Sequence, residues 1–441
     1  MTPDSRLGRL AHRGFGQFHR DARIMLVTSL ISGAAFSLYW IDFNLYLRSL
    51  GFAASSIGLV GTISSVAGGL VAFPASAASD RFGRRSIFVA GMVLALGALF
   101  GLLAFDMLVP IVLSAALWSA GNQAVGVVVS PYLAEHSEPA HRNELFAIQF
   151  AIQSLTSVVA AILGGVVAGL VASSIGLDPA GPGPYRVILV IMVGLLVAGL
   201  ASVALMTDDR PHKIAPSRLR RAGEPAAFPR DPRRGRHSFG ITIRDRRRFA
   251  KLVIPGFLVS IGAGQVIPYL NIFVQRKFGL DLASLNAVFA VTSLGTMAAI
   301  LYQPSLARRF GQIASVVLVQ GMSIPFLIVL GFSPVLGTVI IAMAVRNSLM
   351  NAGNPIFNAF SMEQVSMAER ATLAAAMSVL WQIGWVIGGI WYTVLQATIG
   401  FDAGYTVNFL TITVLYTIGT ALLWAWFRGA DRTRLESAAA A

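Results

Sequence analysis

Ser79-Asp80-Arg81-Phe82-Gly83-Arg84-Arg85 joins two apolar runs, near residues 54–78 and 86–105, each long enough to cross a bilayer. Charge that dense between two membrane-crossing segments has to sit in water at a membrane face. A worn copy, Ala307-Arg308-Arg309-Phe310-Gly311, stands 228 residues later. The same offset takes Gly51 onto Gly279, Glu135 onto Glu363 and Arg142 onto Arg370, and one residue less takes Asn44 onto Asn271. One offset matching landmarks from the first span to the fifth indicates a duplication. Each copy holds an even number of spans, so both start from the same side, as parallel repeats about an axis along the membrane normal.

Composition agrees. The 441 residues are 55% hydrophobic and 12% charged, with mean hydropathy +0.70. Soluble domains carry about 25% charged residues, so a soluble fold is excluded. Backbone polar groups in lipid must be satisfied internally, which leaves helices or a closed barrel. The short alternating strands of a barrel are absent, and an all-α membrane protein follows. The net charge of +14 reflects the Lys/Arg excess of one membrane face, and nucleic acid is not an expected partner. Without cysteine there is no disulfide and no thiolate metal site. No cofactor or metal is expected.

Apolar runs fall near 24–47, 54–78, 86–105, 108–133, 143–172 and 185–206, then near 249–274, 282–305, 313–333, 335–360, 371–396 and 404–427. Numbered in order, these are spans one to twelve. The expected organisation is a tail (1–23), a six-helix bundle (24–206), a basic linker (207–247), a second bundle (248–428) and a short tail (429–441). The first run is too long for the core of a signal peptide and reads as span one. Lys and Arg gather in the tails, the 79–85 link and the linker, while the opposite links hold only Arg48, Arg186, Arg276 and Lys277. Both termini are therefore expected in the cytoplasm, with the protein in the cytoplasmic (plasma) membrane as a monomer among lipids.

These motifs resemble the major facilitator superfamily. Ser76 to Arg85 is similar to that family's loop between spans two and three, G-x-L-a-D-R-x-G-R-R/K. Asp80, Arg81, Gly83, Arg84 and Arg85 match it; Ser76 and Ala78 depart, and the second copy keeps only Arg309 and Gly311. Glu135 with Arg142, and Glu363 with Arg370, match the family's E-x6-R pairing between spans four and five. The resemblance covers nearly the whole chain outside its tails and linker. It implies two rocking six-helix bundles, with these charged residues forming a network that closes the inner mouth when the protein faces outward. It also implies that spans one, four, seven and ten line a central cavity. Span five lacks the Gly-Pro-rich pattern of the family's drug:proton antiporters.

Two ionisable residues fall at depth, Asp42 in span one and Arg346 in span ten. Charge inside a bilayer is expensive and normally meets a partner or a water-filled cavity. Either the two pair with each other, or Arg346 meets an anionic group of a solute while Asp42 reaches water. Span ten also carries Asn347, Asn351, Asn354 and Asn358, spaced four, three and four, hence on one helical face. Their repeat counterparts in span four are Ser119, Gln123, Gly126 and Ser130. A polar face recurring in both halves fits a cavity between them. Trp118 and Asn122 in span four, Gln149 and Gln153 in span five, Gln265 and Tyr269 in span seven, and Trp381, Gln382 and Trp385 in span eleven extend the candidate site.

Amides beside aromatic platforms suit a neutral polar solute such as a sugar, and Arg346 would add a carboxylate or phosphate. The expected function is secondary transport of a small polar organic solute, sugar-like or anionic, by alternating access. Efflux of amphipathic compounds is the alternative within transport, and a non-transporting solute sensor is the alternative outside it. A polytopic enzyme would need a convergent acid, base or metal cluster, and the sequence offers none.

Overall fold

The computed structural model describes residues 18–136, 142–178, 181–207 and 245–429. Within helices, the side chains of Asp80, Ser130, Arg142, Arg309 and Arg370 are among those not described. Span one is Arg20–Ser49, span two Ala54–Phe82, span three Arg84–Ala104, span four Leu108–Glu135, span five Arg142–Ser174 and span six Gly183–Ala204. Span seven is Arg246–Val266, continued through a 3-10 turn (Ile267–Tyr269) into Leu270–Phe278. Spans eight to twelve are Leu282–Phe310, Gln312–Phe332, Leu336–Glu363, Met367–Thr398 and Phe401–Phe427.

The helices overrun the apolar runs at several ends. Span one begins at Arg20 and span seven at Arg246, because backbone hydrogen bonding continues into water where apolarity stops. Among the described residues, ten of these helices are long and apolar enough to cross a membrane. Span eight adds an apolar stretch, Leu282–Gly295. Span ten is 28 residues long, but Arg346 and its asparagines dilute its apolarity. Most of the expected linker, 208–244, lies outside the described residues, as do the two chain ends.

The duplication is legible in backbone and packing alike. Gly51 (φ 86°) and Gly279 (φ 64°) end spans one and seven, and Gly83 (φ 93°) and Gly311 (φ 87°) separate spans two from three and eight from nine. Each turn needs the left-handed backbone that glycine adopts without a Cβ penalty. Within the first half, span three packs on four, two on four, one on six and one on five. Within the second half, nine packs on ten, eight on ten, seven on twelve and seven on eleven. The halves meet through spans two and eleven and through spans five and eight, two interfaces that exchange under the repeat.

Small residues set the close approaches. A Cβ at Gly388 in span eleven would lie 2.6 Å from the Ile261 carbonyl of span seven, and one at Gly264 would lie 2.8 Å from the Trp385 backbone. Backbone cannot yield as a side-chain tip can. Gly388→Val should therefore destabilise the protein by about 1–3 kcal/mol, read as a lower melting temperature in detergent. Gly97→Val, with nothing within 4 Å, should melt like the parent.

Candidate functional site

The face carrying Arg20, Arg81, Arg84, Arg85, Arg246 and Arg428 is here the basic face, and the other the opposite face. At the opposite face the halves are joined. Asn44 Nδ2 of span one donates to the Pro268 carbonyl of span seven, and Asn271 Nδ2 of span seven donates to the Ile41 carbonyl at 2.6 Å. Ile41 and Pro268 stand 227 residues apart, as do the two asparagines. The tie is reciprocal: each half gives an amide and receives one, three residues earlier in the partner helix. Local sequence prepares span seven for this. Pro268 sits in the 3-10 turn, and Asn271 Oδ1 accepts the Ile272 N–H at 2.9 Å, holding its own amide in place.

Aromatic packing thickens the seal. Tyr269 stacks on Tyr392 with ring centres 3.7 Å apart, and its hydroxyl donates to the Gly58 carbonyl at 3.4 Å. Tyr405 donates to the Tyr269 carbonyl at 2.8 Å. Nearer the opposite face, Arg48 donates to Gln275 at 3.4 Å, and Gln275 in turn to the Tyr185 hydroxyl.

Below the seal lies a chamber of about 160 Å³ between the halves. Tyr39 is sandwiched there between Trp118 and Phe43, both at 4.3 Å, and Asn44, Asn122 and Trp385 share the wall. A larger cavity of about 770 Å³ continues from it, with Trp40, Ser65, Ser119 and Trp385 lining both. Gln123 of span four faces Asn354 and Asn358 of span ten across this cavity, with Trp381, Gln382 and Ser378 from span eleven. Met362, the penultimate residue of span ten, is also in its wall, so the cavity reaches the basic face. The molecule is closed on one side and open on the other.

The expected site residues divide accordingly. Trp118, Asn122, Gln123, Tyr269, Asn354, Trp381 and Trp385 line one chamber or the other. Asn347 and Asn351 continue the same helix above Asn354 but lie outside both linings, Asn351 donating to the Asn347 carbonyl. Gln153 is exposed away from both chambers, and Gln265 is 1% exposed inside the second half. The two charges at depth are not paired with each other. Arg346 donates to the Tyr416 hydroxyl at 2.7 Å and to Asn347 Oδ1 at 2.9 Å, with its guanidinium over the Tyr416 ring. Asp42 accepts from Asn286 of span eight at 3.2 Å.

Sequence reasoning missed Tyr39 and Trp40, which form the first-half wall. It treated Asn44 and Asn271 as repeat landmarks only. Their shared spacing from Ile41 and Pro268 was the available signal, but only tertiary contact gives it meaning.

At the basic face Arg84 pairs with Glu135 at 3.1 Å and donates to Ser79 Oγ at 2.6 Å, and Arg85 donates to the Ala204 carbonyl. In the second half Gln312 replaces Arg84 and donates to Glu363 at 3.4 Å. These contacts run within each half. Arg81 is exposed and lies over Phe82. The side chains of Asp80, Arg142, Arg309 and Arg370 lie outside the described residues.

A family model for the Major Facilitator Superfamily matches residues 25–389. The chain belongs to the major facilitator superfamily. Solved structures of similar fold agree with that membership. A mutant form of the nucleoside transporter NupG aligns with TM-score 0.72 at 14% identity, covering 91% of this chain and 99% of its own. A bacterial homolog of the human lysosomal transporter Spinster aligns with TM-score 0.73 at 15% identity, covering 94% and 97%. A bacterial homologue of the iron transporter ferroportin gives 0.69 at 12%, covering 92% and 98%. No curated protein sequence matches. At these identities the likeness is one of fold.

The two arginines give a direct comparison. Arg346 is 4% exposed, and Arg346→Met should strand the Tyr416 hydroxyl and Asn347 Oδ1, costing about 1–3 kcal/mol. Arg84→Met removes a pair whose acid is half exposed, a loss of about 1 kcal/mol or less. Chemical or thermal unfolding in detergent should rank them in that order.

Proposed function

We propose that this chain is a secondary active transporter carrying a small, uncharged, hydrogen-bonding organic solute by alternating access, as a monomer. The lining supports that reading most directly. Among the described residues, neither chamber is lined by Asp, Glu, His, Lys or Arg, whereas amides and hydroxyls stand beside tryptophan and phenylalanine rings in the larger one. An amide pairs with a hydroxyl or ring nitrogen, and an aromatic plane covers the apolar face of a sugar or base. Arg346, the cation that would favour an anion, lines neither chamber and donates to Tyr416 and Asn347, its Nε being without a partner. A nucleoside, the solute in NupG's name, belongs to this neutral ring-bearing class.

Binding would take place from the basic face, which the Lys/Arg distribution assigns to the cytoplasm. The opposite-face tie opens when the halves rock, and the charged loops of the basic face then close on each other. In that state Asp80, Arg81, Glu135 and Arg142, with Arg309, Glu363 and Arg370 of the second half, form the inner lock. A second reading, carriage of amphipathic compounds, draws on one feature: toward the basic face the cavity is walled by Leu252, Val253, Phe257, Met377 and Leu423.

A thermal-shift panel of neutral sugars and nucleosides, carboxylates and cationic amphiphiles on the purified protein separates these readings. A neutral ring-bearing solute should raise the melting temperature. Gln123→Ala and Asn354→Ala should each weaken its binding about tenfold, equivalent to about 1.4 kcal/mol for one lost hydrogen bond. Stabilisation by carboxylates or cationic amphiphiles, with the neutral solutes silent, would overturn the proposal.

A further inference from the structure

A separate cavity of about 400 Å³ lies at the basic face of the second half, where span seven begins and spans ten and twelve end. Arg247, Arg248 and Lys251 of span seven line it, with Gln364 after span ten and Trp426 and Phe427 of span twelve. Its cations stand apart from acids. Arg248 donates to Gln364 Oε1 at 2.6 Å, and Lys251 Nζ lies 6.0 Å from the centre of the Trp426 ring. Arg247 is exposed, and neither it nor Lys251 has an acidic partner among the described residues. Asp245, the acid in the lining, accepts the Arg248 N–H at 3.0 Å as the cap of span seven. Glu363, beside Gln364, accepts from Gln312 of span nine outside the lining. Three cations thus share the pocket with one carboxylate that is turned to the backbone.

Span seven sets the depth of this pocket. From Arg246 to Phe278 it holds 33 residues, about 50 Å of helix at ~1.5 Å per residue, against a hydrocarbon core of ~30 Å. The excess has to lie in the headgroup layers, and the run Arg246-Arg247-Arg248 marks one end that does. Arg247, Lys251 and Ile254 follow at spacings of four and three, on one helical face. Ile254 is 40% exposed and lines neither central chamber, so this face passes from cations in water to an apolar side chain among acyl chains. Trp426 and the exposed Trp424 stand at the same end of span twelve, the level that indole rings favour at a membrane surface. A site for a soluble anion needs no apolar flank, and this one has it.

We propose that this pocket binds the phosphate of an anionic phospholipid from the basic-face leaflet. The phosphate oxygens meet Arg247 and Lys251, Gln364 holds Arg248 at the pocket edge, and the acyl chains descend along Ile254. Basic side chains beside a membrane attract anionic lipid through their charge. A zwitterionic lipid carries its own ammonium group next to the phosphate, which three basic side chains repel, so the pocket selects for net negative charge. Every residue of the site belongs to the second half, so the lipid stays bound whichever face the two halves close. The proposal does not depend on which solute the central chambers take.

Native mass spectrometry of the full chain in a neutral detergent tests this, with dioleoyl phosphatidylglycerol and dioleoyl phosphatidylcholine as probes. The first phosphatidylglycerol should bind about tenfold more tightly than the first phosphatidylcholine, or better. A basic residue at the surface contributes about fivefold, so Arg247→Gln alone should weaken phosphatidylglycerol by about that factor, and Arg247→Gln with Lys251→Gln by about 25-fold. Phosphatidylcholine should bind both variants as it binds the parent. Arg23→Gln with Arg246→Gln removes the same charge from exposed basic-face positions outside the lining and should leave phosphatidylglycerol binding unchanged. Equal affinity for the two lipids, or equal weakening by the two double variants, would overturn the proposal. Inorganic phosphate and glycerol phosphate, added in molar excess, separate the two sources of the group. Neither should displace phosphatidylglycerol, and displacement by either would assign the pocket to a soluble anion and overturn the lipid site.

Discussion

Two asparagine amides hold this molecule in the state described. Asn44 and Asn271 each reach across the pseudo-symmetry axis to a main-chain carbonyl of the other half. In a medium without water, an amide or carbonyl left without a partner is costly, so the pair disfavours separation at this level. Each such bond contributes only about 0.6–2 kcal/mol in a membrane setting. That strength suits a contact that would break in the proposed transport cycle, because two interconverting states must lie within a few kcal/mol of each other. Closure here leaves the halves free to diverge toward the basic face, and the cavity is the space between them.

The same symmetry that makes the seal also makes the cavity asymmetric. Span one is a continuous helix where span seven is broken at Ile267–Tyr269. Tyr269, released by that break, reaches the backbone of span two, whereas its counterpart Asp42 turns to span eight. The first half supplies the aromatic stack of Tyr39, Phe43 and Trp118. The second supplies the amide ladder of span ten and the tryptophans of span eleven. Rings and hydrogen-bonding groups thus line the cavity from both halves.

Much of this could be read from the chain. Span number, the duplication and its hand, and the polar face of spans four and ten all follow from periodicity and offset, which act through local helix geometry. What escaped depends on tertiary contact. The Glu135 contact with Arg84 at the start of span three is one such case; the Arg142 side chain of the expected Glu135–Arg142 pairing lies outside the described residues. The order of charges along a loop does not fix which helix end swings nearest. For Arg346 the sequence offers either Asp42 or an anionic solute group as partner, and the contacts described are with Tyr416 and Asn347 of the second half, Nε being left without one. Tyr39 and Trp40 carried no distinguishing signal, since an aromatic residue in a span reads the same whether it packs against lipid, helix or solute.

The central claim is a cavity sealed on one side by the asparagine tie and open on the other. Ser378 lines that cavity, and in a chain without cysteine Ser378→Cys gives a single label site. A membrane-impermeant maleimide applied to oriented vesicles should modify it from the basic face only. With Asn44→Leu and Asn271→Leu added, reaction from the opposite face should appear. Equal reaction from both faces before those changes, or none from the opposite face after them, would contradict the account.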